Sequence, residues 1–203
     1  MSFGLKINDP ASLNMSEDEY WRTLNIKDVQ SVTFTCEILP KLWSLYENFS
    51  GSLRLLDVGT RTGAGTALIG YLHQKYSLNR IKIEISSIDI DQSYIDYAKI
   101  HYPFANFRKG DVFKEESKSY DIVLCSHVIE HVDNPQAFLS ELKRVAKAYV
   151  ILACPYEESN LISGHRNVLD EGFFSLTGAS KVDVYRSVTW HQSQACIAIY
   201  DVR

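Results

Sequence analysis

No stretch of this sequence stays apolar for long. The longest uninterrupted run, Ala148 to Pro155, is far too short to span a bilayer. Met1 to Pro10 lacks the extended apolar core of a secretory signal. The sequons at Asn14 and Asn48 are therefore read as chance matches. Cysteine is sparse, with four thiols (Cys36, Cys125, Cys154 and Cys196), no C-x-x-C spacing and no compact disulfide framework. Cys125, Cys154 and Cys196 lie in apolar, strand-like runs, where a thiol behaves as a small hydrophobe. These absences point to reduced thiols and a cytoplasmic location. Excess basic charge is missing too. The chain has 21 Lys and Arg against 25 Asp and Glu, a net charge of −4, and a nucleic-acid partner is not expected without a basic stripe. Two phosphate-binding patterns are also lacking. G-x-G-x-x-G would need Gly or Ala at Leu68 if it began at Gly63, or Gly at Arg61 if it began at Gly59, and no Gly-Lys-Ser/Thr loop occurs.

What is present is one sizeable domain: 203 residues, 45% hydrophobic and 23% charged. No repeat or low-complexity tract interrupts it. Residues 1–50 read as a helical extension or lid. Ser16 and Glu19 are spaced as a capping box for a short helix, with Tyr20 and Trp21 beside it. Leu39, Leu42, Leu45, Tyr46 and Phe49 then recur at helical spacing after Pro40, which suits the first turn of a second helix.

From residue 51 to 203 the pattern alternates. Leu53 to Val58, Ile81 to Ile90, Asn106 to Lys109, Tyr120 to Cys125 and Ala148 to Cys154 read as strands. Gly63 to Tyr76, Asp91 to His101, a segment after Asn134-Pro135, and a short stretch around Asp170 to Leu176 read as helices. Phe138, Leu139, Leu142, Val145 and Ala146 form one apolar face opposite a solvated face of Glu141, Lys143, Arg144 and Lys147. Lys181 to Trp190 and Ala195 to Val202, joined by the short His191–Gln194 connection, look like an antiparallel hairpin. The fold class is therefore α/β: a doubly wound, mostly parallel, seven-stranded sheet with a C-terminal antiparallel hairpin and helices on both faces. Such sheets bind ligands beyond the carboxyl ends of their strands.

The first βα turn, Leu55-Leu56-Asp57-Val58-Gly59-Thr60-Arg61-Thr62-Gly63-Ala64-Gly65, is glycine-rich and opens a helix. An acidic residue two before the first glycine suits the ammonium end of a zwitterion better than a pyrophosphate. With Ser87-Ile88-Asp89-Ile90-Asp91, Lys109-Gly110-Asp111-Val112, and Asp121 to Val132, this turn resembles the class I S-adenosylmethionine-dependent methyltransferases. The likeness covers about Leu53 to Pro155, with its motifs in the family's order. Arg61 departs from it, standing where the first motif has its middle glycine.

The resemblance implies a cofactor, S-adenosyl-L-methionine, and a role for each matching residue. Asp57, Gly59, Arg61, Gly63 and the following turn would cradle its amino-acid end. Asp89 would take the ribose hydroxyls, since a carboxylate has two oxygens for a vicinal diol. Asp91 competes for that role but also suits a helix cap. Asp111 would accept the adenine amino group, with the Val112 N–H beside it, and the alternative for Asp111 is a turn residue. Ser126 would face the methionine portion. Arg61 has three readings: a solvent-directed side chain, a partner for the cofactor carboxylate, or a mark of a degenerate site.

The acceptor side is less determined. His127, Glu130 and His131 stand at i, i+3 and i+4, one face if the segment is helical. One reading joins them to His165 as metal ligands, like the pattern of related methyltransferases acting on RNA 2′-hydroxyls or catechols, whose first position is usually Glu. The other takes the segment as ordinary family sequence that orients backbone and pocket. The reading adopted assigns no metal and expects catalysis from His131, with His127 beside it. The expected reaction is methyl transfer to a small-molecule, lipid-precursor or glycan acceptor. The alternatives are a catalytically weak binding module and a metal-assisted O-methyltransferase. Nothing in the residues fixes the acceptor atom or the oligomeric state.

Overall fold

A computed structural model describes residues 16–162, 164–189 and 194–203. The side chains of Tyr20 and Trp21, and the residues 190–193 expected to link the last two strands, lie outside that description. The elements run α1 (Glu17–Leu45), β1 (Gly51–Val58), α2 (Ala64–His73), β2 (Ile81–Asp89), α3 (Gln92–His101), β3 (Asn106–Lys109), β4 (Tyr120–Ser126), α4 (Pro135–Val145), β5 (Ala146–Pro155), α5 (Glu171–Thr177), β6 (Lys181–Arg186) and β7 (Gln194–Asp201). Short 3-10 turns cover Val112–Lys114 and Ile129–His131.

The described strands form one sheet in the order β3-β2-β1-β4-β5-β7-β6. Strands β1 to β5 pair in parallel, and β7 enters antiparallel between β5 and β6. The antiparallel end is therefore as expected, although β6 ends at Arg186, and Trp190 of the expected strand lies outside the described residues.

Period-two alternation sorts the strand residues between two cores. Leu56, Val58, Val123, Cys125, Val150 and Leu152 face α4 and α5. Leu53, Leu55, Ile122, Leu124, Ile151 and Ala153 face α1 and α2. Each apolar face is covered, as a parallel sheet requires. All four cysteines are free thiols, and the Cys154 and Cys196 sulfurs lie 3.6 Å apart across β5 and β7.

The N-terminal segment differs from its reading. The Ser16–Glu19 capping box is present, with 2.9 Å and 3.2 Å hydrogen bonds. It opens one helix of 29 residues that carries Pro40 inside it, not two helices with Pro40 at a start. An interior proline removes one backbone hydrogen bond and costs ~3 kcal/mol. Ile38, Leu39 and Leu42 around it are 1%, 5% and 1% exposed. Each contributes ~1.5–3 kcal/mol on burial, so the packing outweighs the break.

Helix α1 crosses α2 at closest range over Gly65. A Cβ there would lie 2.4 Å from Thr35 Oγ1 and 3.2 Å from the Ser31 carbonyl oxygen. Gly65→Ala should lower unfolding stability, because overpacking costs ~1–3 kcal/mol against a helix-propensity gain of ~0.5–1 kcal/mol. Denaturant titration measures the loss, and adding Thr35→Ala to the same chain should recover part of it. Equal stability of Gly65→Ala and the wild type would mean that α1 does not approach this closely.

Candidate functional site

The carboxyl ends of β1, β2 and β4 open into a cleft of about 830 Å³ whose wall includes Gln30 and Phe34 of α1, the 59–65 turn, and His131 and His165. The turn after β1 needs its glycines. Gly59 has φ +79° and Gly63 φ +82°, backbone that L side chains rarely adopt. A Cβ on Gly59 would meet Val128 Cγ2 at 2.3 Å, so the turns after β1 and β4 are in backbone-to-side-chain contact. Arg61, where the family motif has glycine, takes the same left-handed region with φ 53°. Its side chain is not loose in solvent, since Nη1 donates to Gln30 Oε1 on α1 at 2.7 Å.

Asp57 is 7% exposed at the end of β1, and the Thr66 hydroxyl donates to its carboxylate. Thr60 and Thr66 hydroxyls lie 2.6 Å apart behind it. Among the described residues no cation forms an ion pair with it. Burial pushes the Asp57 carboxyl up to about 6, against the pull of the Thr66 and Thr60 hydrogen bonds. Asp89, 9% exposed, accepts the Arg61 N–H on Oδ2 at 2.8 Å and the Asp91 N–H on Oδ1 at 2.9 Å. Its pKa is also raised, chiefly by burial. Asp91 caps α3 by accepting from the Ser93 N–H at 2.9 Å, which leaves Asp89 as the carboxylate at the strand end. Asp111 caps the following 3-10 turn, accepting from the Phe113 N–H at 3.1 Å. It also lines the cleft beside Val112, so the turn role and the cleft position coexist. Ser126 ends β4, and its buried Oγ has no hydrogen-bond partner among the described residues.

The acceptor side is gathered, but not on a helix. His127 takes φ 54°, and only Ile129–His131 form a 3-10 turn. The expected shared helical face is replaced by a kink directly after β4. His127 stacks on Phe34 of α1, with ring centroids 3.6 Å apart, and its Nδ1 lies 3.4 Å from Glu130 Oε1. Glu130 is 1% exposed, and neither of its carboxylate oxygens receives a hydrogen bond among the described residues. His131 Nδ1 lies 2.9 Å from the Gly164 carbonyl oxygen, and its ring meets that of His165 edge-on at 4.7 Å. One ligand-type atom from each of Glu130, His131 and His165 lies within 4.8 Å of the others. His127 is outside this group of three.

Two residues of the site carry no sequence motif. Glu158, 5% exposed, holds His165 Nδ1 at 2.5 Å. Asn167 Nδ2 donates to the Val132 carbonyl at 2.7 Å, and the Arg166 N–H donates to the Glu130 carbonyl at 2.7 Å. These bonds fasten the 156–169 loop to the turn after β4.

Residues 56–154 match the family described as a methyltransferase domain. A ubiquinone biosynthesis O-methyltransferase of Rickettsia bellii is 34% identical over 110 residues, covering 53% of this chain and 43% of the relative. The chain thus spans less than half the length of the curated relative it matches. Among solved structures, magnesium protoporphyrin IX methyltransferase from Synechocystis PCC 6803 with bound SAM has a TM-score of 0.65 at 15% identity, over 86% of this chain and 81% of that one. A methyltransferase from Aquifex aeolicus described as SAM-dependent has a TM-score of 0.59 at 17% identity, over 86% and 96%. No described helix is long and apolar enough to cross a membrane.

The position of Asp57 has a measurable consequence. Its carboxyl is raised from 3.8 to about 6 in the folded chain, so folding favours its neutral form. That contribution is complete below pH ~4 and is lost as pH rises through ~6. Asp57→Asn cannot ionise. Between those limits its unfolding free energy should therefore gain on the wild type by about 2–3 kcal/mol. Denaturant titrations of both proteins across this window measure the difference, and a constant gap would mean that Asp57 titrates as an ordinary carboxylate.

Proposed function

We propose that this chain, whose residues 56–154 match a methyltransferase domain, is a class I S-adenosylmethionine-dependent methyltransferase that moves a methyl group from that cofactor to a hydroxyl of a small acceptor. The observation that carries this reading is Asp57: a buried carboxylate without a cationic partner among the described residues, lining the cleft just before a turn with two left-handed glycines.

The residues fit the cofactor. Asp57 suits its ammonium group, which would draw the raised carboxyl into its ionised form. The positive-φ turn of Gly59, Arg61 and Gly63 lets backbone come close to the amino-acid end. Arg61, already turned toward α1, is within the same wall and suits the cofactor carboxylate. Asp89 has lone pairs beyond the two backbone bonds it accepts, enough for the ribose hydroxyls. Asp111 and the Val112 N–H suit the adenine edge, and the Ser126 hydroxyl, without a partner among the described residues, suits the methionine portion. When bound, the cofactor supplies a methyl carbon activated by its sulfonium.

The chain's own work is alignment, exclusion of water and removal of one proton. His131 and His127 are the residues proposed for the proton. His131 Nδ1 donating to the Gly164 carbonyl puts the lone pair of the neutral ring on Nε2. His127, clamped under Phe34, supports the wall beside it. The name of the Rickettsia relatives favours a ring hydroxyl as the acceptor group, and 3,4-dihydroxybenzoate is a soluble probe for it.

A second reading is favoured by Glu130. A carboxylate at 1% exposure that receives no hydrogen bond among the described residues, with two imidazoles gathered near it, has the donor chemistry of a divalent cation site. Glu130, His131 and His165 would then hold a metal that orients the acceptor oxygen and helps it release its proton.

Two measurements test the proposal. Asp89→Ala should weaken S-adenosylhomocysteine binding by about 1.5–3 kcal/mol in calorimetry, and unchanged affinity would remove Asp89 from the ribose. His131→Ala should keep that affinity and lose about 10²–10⁴-fold in turnover with 3,4-dihydroxybenzoate. Loss of wild-type turnover on chelation, restored by added divalent metal, selects the second reading. Full turnover after chelation selects the first.

A further inference from the structure

The 156–169 loop contains a buried carboxylate that its architecture does not require. Glu158 lies just beyond the end of β5, and its side chain is 2% exposed. Its Oε1 accepts the Ile162 N–H at 3.0 Å, and its Oε2 lies 2.5 Å from His165 Nδ1. The loop is already anchored without it. The Arg166 N–H donates to the Glu130 carbonyl at 2.7 Å, Asn167 Nδ2 donates to the Val132 carbonyl at 2.7 Å, and the Gly164 carbonyl meets His131 at 2.9 Å. A neutral amide at 158 could keep the Ile162 bond. A buried negative charge is a costly way to knit a loop, unless the charge has a further use.

That use is on His165. We propose that Glu158 is a positioning residue that fixes the tautomer and orientation of His165, so that its Nε2 lone pair faces Glu130 and His131. A neutral imidazole has one N–H and one lone pair. A carboxylate on Nδ1 keeps the N–H there and directs the lone pair to Nε2. The edge-on contact between the two rings, at 4.7 Å, holds His165 at the acceptor end of the cleft. The assignment rests on the acceptor-side reading above and serves both of its forms. In one, the acceptor hydroxyl gives its proton to a histidine nitrogen as its oxygen bonds the methyl carbon. The electron pair of the broken sulfur–carbon bond stays on sulfur, which leaves as a neutral thioether. In the other, the Nε2 lone pair is a metal ligand.

The test pairs kinetics with nitrogen NMR on the full chain. At mildly alkaline pH the wild type should show a pyrrole-type shift at His165 Nδ1 and a pyridine-type shift at Nε2. Glu158→Gln should lower kcat for 3,4-dihydroxybenzoate by about 10–100-fold. Its KM should be unchanged and its S-adenosylhomocysteine affinity within about twofold, while Glu158→Asp should recover part of the rate. Glu158→Leu, if it folds by circular dichroism, should lose the fixed tautomer; if it does not fold, Glu158→Gln decides. A wild-type ring carrying its proton on Nε2 overturns the proposal. So does a folded Glu158→Gln with wild-type kcat. If the wild type transfers no methyl to this probe, the acceptor reading has failed, and the nitrogen shifts alone decide the role of Glu158.

Discussion

Parallel pairing of β2, β1, β4 and β5 forces their carboxyl ends to a common edge, and every element of the cleft depends on that alignment. In register, Asp57 stands beside Ser87 on one side and Leu124 on the other, so Asp57, Asp89 and Ser126 emerge within a few residues of each other. The turns that leave these strands then compete for little space. Gly59 lies under Val128, and Gly63 lies against Phe107 and Ala98, which is why side chains are missing at those two places. The cleft is the room left over once the strand ends and their turns have packed.

The local geometry of the half proposed for the cofactor was legible in the sequence because it is written in short-range terms. A strand run followed by Asp57, Gly59 and Gly63 specifies a turn, and Asp91 specifies a cap, without reference to distant residues. The acceptor half is long-range. Nothing local indicates that His127 takes a left-handed backbone or that its ring stacks on Phe34, a residue of α1 far away in sequence. The spacing of His127, Glu130 and His131 allowed a shared helical face, yet a kink gathers Glu130 and His131 with His165 and leaves His127 outside. Glu158 and Asn167 were silent for a related reason. An isolated polar residue in a polar loop declares no partner: Asn167 reaches carbonyls of the turn after β4, and Glu158 meets Ile162 and His165 of its own loop. Pro40 misled in the opposite direction: a strong local break was overruled by the burial of Ile38, Leu39 and Leu42.

Helix α1 is the element that touches both halves. Gln30 receives the Arg61 guanidinium on the cofactor side, and Phe34, one turn later, lies flat on His127 on the acceptor side. Asp28 is held by the hydroxyls of Tyr97 and Tyr102 at 2.8 and 3.0 Å, and Lys27 reaches Tyr94 at 2.8 Å. The helix is thus tied by polar side chains where it crosses the cleft and by apolar packing farther along. Polar ties exchange with water at little net cost, about 1 kcal/mol each, whereas the apolar half does not.

The antiparallel entry of β7 sets an order in time. β6 pairs with β7 and not with β5, so it has no place in the sheet until β7 has docked. As the polypeptide leaves the ribosome, β5 emerges well before β7, with Val150 to Cys154 exposing unpaired N–H and C=O groups and an apolar surface. Glu37 of α1 waits as well, because its partners Tyr185, Ser187 and Val188 come about 150 positions later. The newborn chain therefore passes through a stage with an open, apolar strand edge and a first helix that still lacks its Glu37 ties. The pairing that closes that edge also presents the partners that secure the helix over the cleft.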